Sequence, residues 1–484
     1  MMTRMELRRI ERHARLKNTI APVSKPFVPV ALHVLVLSMI VFINDLDYKA
    51  KVSLFAFLSA MILWIATKIP AGFVAISLII FIIMMNGAQE DLLYQSLSEE
   101  VVWLMVGSFI IGEAVKESGL ANRITLLTLN KSRKKSKLLL GVCMVLFSTA
   151  IFIPSTSGRA ALSMPILNQL SKKFTDKEKG VLALIAPIII LMSTSAVLIG
   201  AGSHLIGIGL LESTVNQSIS YVEWFIWALP FTLVITFISY LIIKWLLWPK
   251  DSIDELEVFE EIIQPSNFQK EMTNKEKKTL TIITLLFIGW VTESIHGYDI
   301  AFIAMLGAVI VMIPKHGIIS WKQGIKSVSW NLIIFVAAAT ALGRMLVETG
   351  VVQWIEDVMM NFINLFVCAP EWFLVFIILL VTVTSHLYIT SHTTRAIVFI
   401  PVLLLFSETI GLNPTTVVFM GLIGMNYCVT VPVSSKALLL FYEEGEISYD
   451  ANNLLKISVI MMPVYILIMM LFYFFYWQWM GLYL

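Results

Sequence analysis

The sequence predicts an all-α polytopic membrane protein, and two observations support this fold class. Hydrophobic residues make up 58% of the 484 residues and charged residues 14%, whereas soluble domains contain about 45 to 50% apolar and roughly 25% charged residues. Apolar runs of about 17 to 25 residues, the length that a helix needs to cross a bilayer, recur along the chain with the charges between them. A soluble enzyme is excluded, and so is a β-barrel with alternating strands of about ten residues.

Charge and cysteine content narrow the possible partners. The formal net charge of +2 is close to neutral and gives no reason to expect a nucleic-acid partner. The predicted surroundings of the apolar runs are the lipid bilayer. Cys143, Cys368 and Cys428 are far apart and lack the spacing of a metal site or a disulfide framework. We therefore expect no cofactor and no metal ion.

The chain begins with a basic tail, residues 1–25, which holds seven Lys and Arg residues and leads into no signal-peptide cleavage pattern. We expect a cytoplasmic N-terminus in a multi-pass protein of a cell membrane, here a bacterial inner membrane. About eleven transmembrane helices are predicted at residues 27–43, 52–67, 71–88, 101–117, 181–212, 224–248, 280–293, 300–314, 330–347, 414–442 and 457–482. This count leaves no large basic loop outside, as the positive-inside rule requires.

Two further apolar stretches do not form ordinary spans. Residues 137–170 have Lys and Arg clusters on both flanks, so both ends are predicted to be cytoplasmic. Residues 372–408 have no Lys or Arg on their flanks, so both ends are predicted to be extracytoplasmic. Each stretch has a polar interruption in its middle. This pattern is typical of a re-entrant hairpin, whose irregular tip is tolerated at membrane depth only where it lines a cavity in the protein.

The two halves of the chain form a repeat. Both hairpin interruptions follow the pattern S-x-[ST]-x-R-A-x4-P, which begins at Ser155 and again at Ser391, 236 residues later. The segment Gly112 to Gly119 likewise resembles Gly343 to Gly350 at an offset of 231 residues. Because one hairpin is predicted to enter from each side, the repeat is inverted. Inverted repeats with broken helices that meet near the bilayer midplane are typical of secondary transporters.

A second break follows each hairpin. Gly200 and Gly202 interrupt a long apolar helix in the first half, and Pro432 and Ser434 interrupt one in the second half, with Ser203 and Ser434 related by the 231-residue offset. Broken helices leave backbone N–H and C=O groups for a ligand, and helix N-termini favour anions. The candidate substrate-binding residues of the four interruptions are Ser155, Thr156, Ser157, Arg159, Gly200, Ser203, Ser391, His392, Thr393, Arg395, Pro432 and Ser434.

The ionisable side chains of the four interruptions are all basic. Arg159 and Arg395 occupy the same repeat position, His392 lies in the second tip, and His204 and Lys436 follow the helix breaks. Such residues are costly in a bilayer unless they face a cavity or have a partner. Without any acidic residue, a cavity of this kind would hold a dianion with no bound metal cation. The alternative is that the arginines tie the hairpin tips to backbone carbonyl groups.

These motifs resemble those of the divalent anion/sodium symporters, the Indy-type di- and tricarboxylate transporters, over nearly the whole chain from about residue 27. The resemblance rests on the paired hairpins, the Glu-Ser-Gly-Leu segment at 117–120 with the Glu-Thr-Gly-Val segment at 348–351, and the Gly/Ser and Pro/Ser helix breaks. It implies a homodimer in which each protomer has a scaffold domain and an elevator-type transport domain. The implied scaffold helices are residues 26–125 and 280–365, the transport domain is 137–249 and 370–484, and 250–279 is a cytoplasmic linker.

The hairpin tips depart from the family pattern. The family's typical tip is Ser-Asn-Thr, whose Asn and nearby carbonyl groups serve both substrate and sodium, whereas this chain has Ser155-Thr156-Ser157 and Ser391-His392-Thr393. Both Asn residues are absent, and basic side chains lie at or near each tip. Our hypothesis is that Arg159 and His392 supply fixed positive charge where sodium would sit. This resembles the exchanger branch of the family.

The sequence therefore predicts a secondary active transporter and not an enzyme. Its expected substrates are small dicarboxylates, such as malate, succinate, fumarate and 2-oxoglutarate, and its expected mechanism is sodium-independent exchange. Two alternatives stay open. One is a sodium- or proton-coupled symporter of di- or tricarboxylates or sulfate, and the other is an anion channel whose basic tips form a selectivity ring.

Overall fold

The computed structural model of the chain describes residues 27–67, 69–120, 123, 134–153, 156–249, 271–355, 357–358, 369–443 and 447–484. The regular structure of these residues is helical, which confirms the predicted all-α class. The basic tail, residues 250–270 of the predicted linker, Cys368 and the candidate site residue Ser155 lie outside the described residues.

The described part of the first half contains ten α-helices. Helices α1 (Phe27–Val41), α2 (Tyr48–Ala66), α3 (Ala71–Met84), α4 (Asp91–Ser96) and α5 (Glu100–Ser118) come before the first predicted hairpin. The two arms of that hairpin are α6 (Lys135–Phe152) and α7 (Thr156–Ser171). Helix α8 (Asp176–Met192) continues into two 3-10 turns, Ser193–Ala196 and Leu198–Gly200, which are followed by α9 (Gly202–Val215) and α10 (Tyr221–Leu247).

The second half follows the same order. It contains α11 (Asn274–Val291), α12 (Glu293–His296), α13 (Ile300–Val311), α14 (Trp321–Ser327) and α15 (Trp330–Glu348). The second predicted hairpin consists of α16 (Glu371–Thr384), a 3-10 turn at Ser385–Leu387, and α17 (His392–Ile410). Helix α18 (Pro414–Met425), a 3-10 turn at Pro432–Ser434, α19 (Lys436–Glu443) and α20 (Ala451–Phe472) complete the half, and a π-helical turn at Tyr473–Trp477 extends α20.

The positions of these elements support the repeat and correct one detail of it. Helix α7 begins at residue 156 and α17 at residue 392, an offset of 236, whereas α10 and α20 begin at residues 221 and 451, an offset of 230. The 3-10 turns that begin at Leu198 and Pro432 differ by 234. The predicted pairing of Ser203 with Ser434 is therefore wrong by three residues, because the turns place Ser434 opposite Gly200.

The apolar helices support a multi-pass membrane protein. In the described part of the chain, five helical segments are at least 18 residues long and apolar enough to cross a bilayer, namely Asp176–Ala196, Tyr221–Leu247, Trp330–Glu348, His392–Ile410 and Ala451–Trp477. Five shorter apolar helices of 10 to 17 residues accompany them. Helix α8 is the most enclosed, since 89% of its apolar window is buried against 50% for α10. A helix that is apolar all round packs inside a helical protein, and α8 is the one that leads into the first break. The total of eleven spans stays a prediction.

The described residues divide into two compact units. One contains the described residues up to Leu97 together with Ile334–Val358, and in it the rings of Trp64 and Phe335 pack edge to face. The other is formed by Ser98–Ile333 and Met359–Leu484, where these are described. Both predicted hairpins and both helix breaks belong to the second unit, so one unit contains all described candidate site residues.

A buried ion pair ties Arg123 to the beginning of α11. Its Nε donates to Oε1 of Glu276 at 2.9 Å, and its Nη2 donates to the carbonyl oxygen of Glu271 at 2.7 Å. The other carboxylate oxygen of Glu276 accepts from the backbone N–H of Thr273, which closes the capping box of α11. Burial alone would raise the pKa of Glu276, but the hydrogen bonds from Arg123 and Thr273 lower it, and the net direction is down. The last residues of the predicted linker thus form the first turn of α11, which is stabilised by a capping box and by the ion pair with Arg123.

We expect Arg123→Ala to lower the stability of the detergent-solubilised protein by about 2 kcal/mol at pH 7, because a hydrogen-bonded buried carboxylate loses its charged partner. Thermal unfolding of the two proteins measures this difference. Lys179→Ala is the control, because its ion pair with Asp176 is exposed and such pairs contribute about 0.5 kcal/mol or less.

The pH dependence of this difference is a second readout. Since the pKa of Glu276 is lowered from its ordinary value of 4.5, its stabilising contribution is complete above pH 4.5 and is lost as the pH falls through the folded-state pKa. The difference between wild type and Arg123→Ala must therefore shrink below pH 4.5. Equal stabilities at pH 7 would show that the pair contributes nothing.

Candidate functional site

Arg159 links the first hairpin to the break after α8. It lies in the first turn of α7, and its Nη1 and Nη2 donate to Ser193 Oγ at 3.0 Å and to Thr194 Oγ1 at 2.7 Å. Both hydroxyl groups donate in turn to the carbonyl oxygen of Ile190. Arg159 is 1% exposed, and its Nε has no hydrogen-bond partner among the described residues. The guanidinium therefore holds the 3-10 turn through neutral groups.

Arg395 makes the corresponding link in the second half. It lies in the first turn of α17, and its Nη1 donates to the carbonyl oxygens of Met425 at 2.5 Å and Tyr427 at 3.0 Å, where α18 ends. Arg395 is fully buried, and its Nε and Nη2 have no hydrogen-bond partner among the described residues. The predicted alternative role, in which an arginine ties a hairpin to backbone carbonyl groups, is thus observed for Arg395, while its remaining donors stay free to bind a ligand.

Neither guanidinium forms an ion pair within the described ranges. The four ion pairs found there involve Lys116, Arg123, Lys135 and Lys179. Burying a charge without a counter-ion is strongly unfavourable. Two buried guanidinium groups in one unit, each with an unused N–H, are therefore suited to bind an anion.

The two helix breaks touch each other through Asn426. Its Nδ2 donates to Ser195 Oγ at 2.7 Å and lies 2.6 Å from His204 Nε2. The other ring nitrogen of His204 lies 3.0 Å from the carbonyl oxygen of Leu198, and Trp224 Nε1 donates to the carbonyl oxygen of Ser195. A break of one half thus contacts the equivalent break of the other half.

The second hairpin tip uses its hydroxyl groups locally. Ser391 is exposed and is the N-cap of α17, since its Oγ accepts from the backbone N–H of Thr394 and lies 2.9 Å from Thr393 Oγ1. The adjacent His392 lies 3.3 Å from Cys428 Sγ through Nε2, and its Nδ1 has no partner among the described residues. The second tip therefore turns His392 toward the second break.

The other candidate site residues of the first half lie either in the first turn of a helix or where two backbone segments pack closely. Thr156 and Ser157 begin α7 and are half-buried. A Cβ atom at Gly200 would lie 2.1 Å from the carbonyl oxygen of Thr194, so only glycine allows the two 3-10 turns to pack. Ser203, in the first turn of α9, is 2% exposed and its Oγ has no partner in the described part.

The second break uses proline and serine in place of glycine. Pro432 begins the 3-10 turn with its restricted φ, and Ser434 is fully buried. The Oγ of Ser434 accepts from the backbone N–H of Val431 at 3.3 Å. Ser434 therefore stabilises the turn itself, whereas the hydroxyl group of Ser203 has no hydrogen-bond partner in the described part of the chain.

Packing between the halves brings these segments together. Helix α17 of the second hairpin packs against α9, and α7 of the first hairpin packs against α19. A methyl group at Gly202 would meet Thr393 of the second tip at ordinary contact distance. Arg159, Arg395 and His392 consequently all contact residues of the breaks. Each hairpin adjoins a broken helix of its own half and one of the other half.

Asn426 is the functional candidate that sequence reasoning missed. The sequence predicts the second break at Val429 to Lys436, and Asn426 lies just before it. A signal was present, since Asn426 is the only Asn in the apolar stretch 414–442. A lone amide in such a stretch needs hydrogen-bond partners, which here come from the other half.

A separate cavity of about 70 Å³ does not suit an anion. Its lining includes four acidic residues at helix ends, Glu100, Glu212, Glu293 and Asp299. Burial, followed by repulsion from Asp299 and Glu212, raises the pKa of Glu100. The described part of the chain contains no group of three or more His, Cys, Asp or Glu side chains that could hold a metal ion. This cavity would repel a dianion, so the basic breaks stay the candidate site.

Broken apolar helices around two buried guanidinium groups, which have no ion-pair partner in the described ranges, are typical of a multi-pass membrane transporter. The family described as the sodium:sulfate symporter transmembrane region matches residues 24–483. The chain therefore belongs to this family, which confirms the predicted resemblance, and its family and relatives are transporters and not enzymes.

Curated relatives are similar over much of the chain. A membrane protein of Cupriavidus necator is 24% identical over 394 residues, which cover 79% of this chain and 76% of that protein. The sodium-dependent dicarboxylate transporter SdcS of Staphylococcus saprophyticus is 22% identical over 455 residues, covering 85% and 86%. The L-tartrate/succinate antiporter of Escherichia coli is 26% identical over 276 residues, covering 53% and 54%.

Two solved structures share the fold. The YdaH transporter of Alcanivorax borkumensis has a TM-score of 0.55 and 13% identity, covering 78% of this chain and 85% of its own. MtrF of Neisseria gonorrhoeae, described with a class of antimetabolite efflux pumps, has a TM-score of 0.57 and 12% identity, covering 90% and 96%. At these identities the likeness concerns the fold alone, and it confirms a helical membrane-transporter architecture.

We expect Gly200→Ala to reduce transport about tenfold or more, because the added methyl group would overlap the backbone of Thr194 and displace the turn. Gly202→Ala is the matched comparison, since its nearest contacts would be side-chain atoms at 3.5 Å or more, and we expect a change of about threefold or less. Substrate exchange at equal amounts of membrane-inserted protein measures both. Wild-type activity in Gly200→Ala would contradict the packing role of Gly200.

Proposed function

We propose that this chain is a sodium-independent exchanger of small dicarboxylates, such as malate, succinate, fumarate and 2-oxoglutarate. The observation that carries the proposal is that Arg159 and Arg395 are buried without a carboxylate partner in the described ranges. A dicarboxylate supplies two negative charges for these two positive ones. The dicarboxylate specificity of SdcS and the antiport activity named for the Escherichia coli relative support the same substrate class and mode.

The proposed site lies where the four interruptions meet. Its guanidinium N–H groups, hydroxyl groups and helix N-termini all donate to carboxylate oxygens. The proposed substrate-binding residues are Ser155, Thr156, Ser157, Arg159, Gly200, Ser203, Ser391, His392, Thr393, Arg395, Pro432 and Ser434. Within this set, Gly200, Pro432 and Ser434 act by shaping the breaks, and the unused N–H groups of the arginines bind charge.

Exchange follows from the charge of the empty site. With no substrate, the mobile part of the carrier would cross the bilayer with two unpaired cations, and charge at the bilayer centre costs about 2.5 to 3.5 kcal/mol per residue on insertion scales. A bound dianion cancels that charge. Only the loaded carrier then moves readily, so inward movement of one dicarboxylate requires outward movement of another.

The proposed sodium independence is based on the absence of Asn from both hairpin tips. Thr156 and His392 stand where the family's hairpins typically have Asn, and His392 lies against Cys428. A sodium-coupled symporter is the second candidate function, because SdcS is named sodium-dependent and is similar over 85% of this chain. In that case sodium would bind backbone carbonyl groups, and the arginines would be structural.

The transport cycle we propose is an elevator movement in a homodimer, as the family resemblance implies. Residues 137–249 and 370–484 would form the moving domain, residues 26–125 and 280–365 the scaffold, and 250–279 the cytoplasmic linker. The protein would reside in a bacterial inner membrane with its N-terminus in the cytoplasm. Packing of α7 on α19 and of α17 on α9 supports one moving body that contains both hairpins.

Uptake into proteoliposomes tests the function. Labelled malate is offered to vesicles that are empty or preloaded with malate, with and without an inward sodium gradient. We expect uptake only into preloaded vesicles and no effect of sodium. Sodium-driven uptake into empty vesicles would establish the symporter instead, and uptake that neither saturates nor depends on internal substrate would establish a channel.

We expect Arg159→Ala to allow net uptake into empty vesicles at a rate at least about threefold above wild type, because the empty site would lose one of its two charges. Lys179→Ala, which removes a cation outside the site, should keep strict exchange. Unchanged strict exchange in the double variant Arg159→Ala, His392→Asn would refute the link between these charges and obligate exchange.

A further inference from the structure

Several buried polar atoms around the breaks have no hydrogen-bond partner among the described residues. Arg159 Nε, Arg395 Nε and Arg395 Nη2 are donors, and Ser203 Oγ and His392 Nδ1 can donate or accept. Asn426 Oδ1 is different, because an amide oxygen can only accept. The site therefore offers several donors and one unsatisfied amide oxygen.

The orientation of the Asn426 amide is fixed by its neighbours. The carbonyl oxygen of Leu198 can only accept, so the Nδ1 of His204 that lies 3.0 Å from it carries a proton. His204 is fully buried and has no acidic partner in the described ranges, so its ring is neutral. The neutral ring presents Nε2 as an acceptor, and the NH2 group of Asn426 must face it. The second hydrogen of that NH2 group is donated to Ser195 Oγ. Both donors are used, and the oxygen is left over.

Asn426 is connected to the contacts of both guanidinium groups. Its chain neighbours Met425 and Tyr427 supply the carbonyl oxygens that bind Arg395. Its partner Ser195 directly follows Thr194, which binds Arg159. A dianion that spans the two arginines would therefore lie beside Asn426, which is 2% exposed.

The chemistry of this leftover oxygen selects among dicarboxylates. Fully ionised succinate and fumarate present only acceptors, so they can satisfy the arginines and leave Asn426 Oδ1 unpaired. A hydroxyl group on C2 is a donor as well as an acceptor. Sites built to hydrogen-bond a substrate hydroxyl group reject analogues that lack it, because the buried protein group is then left without a partner.

We propose that Asn426 is a specificity-determining residue, whose Oδ1 accepts a hydrogen bond from the C2 hydroxyl group of a 2-hydroxy dicarboxylate such as malate or tartrate. This inference rests on the proposed function and narrows its substrate class. Ser195 and His204 act as positioning residues, since they hold the amide NH2 group and so aim the oxygen. The amide oxygen of Asn426 is uncharged, so it does not compete with the two carboxylate groups of the substrate for the two guanidinium groups.

Inhibition of labelled succinate exchange by unlabelled compounds tests the proposal in the wild-type protein. The compounds are the two enantiomers of malate, succinate, and 2-fluorosuccinate, whose fluorine is close to a hydroxyl group in size but cannot donate. We expect one malate enantiomer to inhibit at about tenfold lower concentration than succinate, since a lost hydrogen bond of this kind is worth about a factor of ten. We expect 2-fluorosuccinate to behave like succinate.

The variant Asn426→Ala should abolish this preference. We expect malate to lose about tenfold in affinity and succinate to change about threefold or less. Asn168→Ala is the matched control, because Asn168 on α7 also has an Oδ1 without a described partner but lies nine residues beyond Arg159, and it should keep the preference for malate. Equal losses for malate and succinate in Asn426→Ala would show a structural role and overturn the proposal.

The wild-type comparison decides the question even if Asn426→Ala does not fold. Equal inhibition by malate and succinate, or inhibition by 2-fluorosuccinate as strong as by malate, would overturn the role of Asn426 while dicarboxylate exchange itself stood. Absence of exchange for every dicarboxylate would instead refute the proposed function. The two failures are therefore distinguishable in one assay.

Discussion

The rest of the structure depends on the burial of two guanidinium groups away from any described carboxylate. A charge in that position must be compensated by neutral hydrogen-bond acceptors, by a ligand, or by both. Arg159 uses hydroxyl groups and Arg395 uses carbonyl oxygens, and each leaves N–H groups unused. Free backbone carbonyl groups become available where a helix ends, so the contacts of Arg395 depend on the end of α18, whereas Arg159 binds the hydroxyl groups of the turn after α8.

The breaks are placed by packing that crosses the repeat. Each hairpin binds the broken helix of its own half through its arginine and packs against the broken helix of the other half through α7 or α17. The two breaks also touch directly through Asn426 and Ser195. The halves are similar in topology but differ in chemistry, since the first break relies on Gly200 for close backbone approach and the second on Pro432 and Ser434 for a preformed turn. The two breaks therefore differ in the groups that they present to their surroundings.

The basic helix breaks and the acidic cavity are two separate polar regions of this compact unit. The breaks contain basic and neutral groups, and the cavity lined by Glu100, Glu212, Glu293 and Asp299 contains acidic ones. Keeping carboxylates away from the arginines leaves their charge available for a ligand, whereas Arg123 and Lys135, which are ion-paired, have no such capacity. The distinction between a binding arginine and a structural one therefore lies in its partners, which only the folded chain reveals.

The sequence by itself determined the all-helical membrane class, the repeat, the four interruptions and the matching positions of Arg159 and Arg395. The thickness of the bilayer sets the length of the apolar runs, and the residues that interrupt them can be identified directly in the sequence. It did not determine what these arginines contact, the opposition of Ser434 to Gly200, or the contacts of Asn426. Those depend on which groups come within hydrogen-bond distance after folding, across 30 residues of chain for Arg395 and Met425 and 231 for Asn426 and Ser195. A hydrogen bond is directional and short, so only the tertiary structure decides which buried atoms are satisfied and which are left for a substrate.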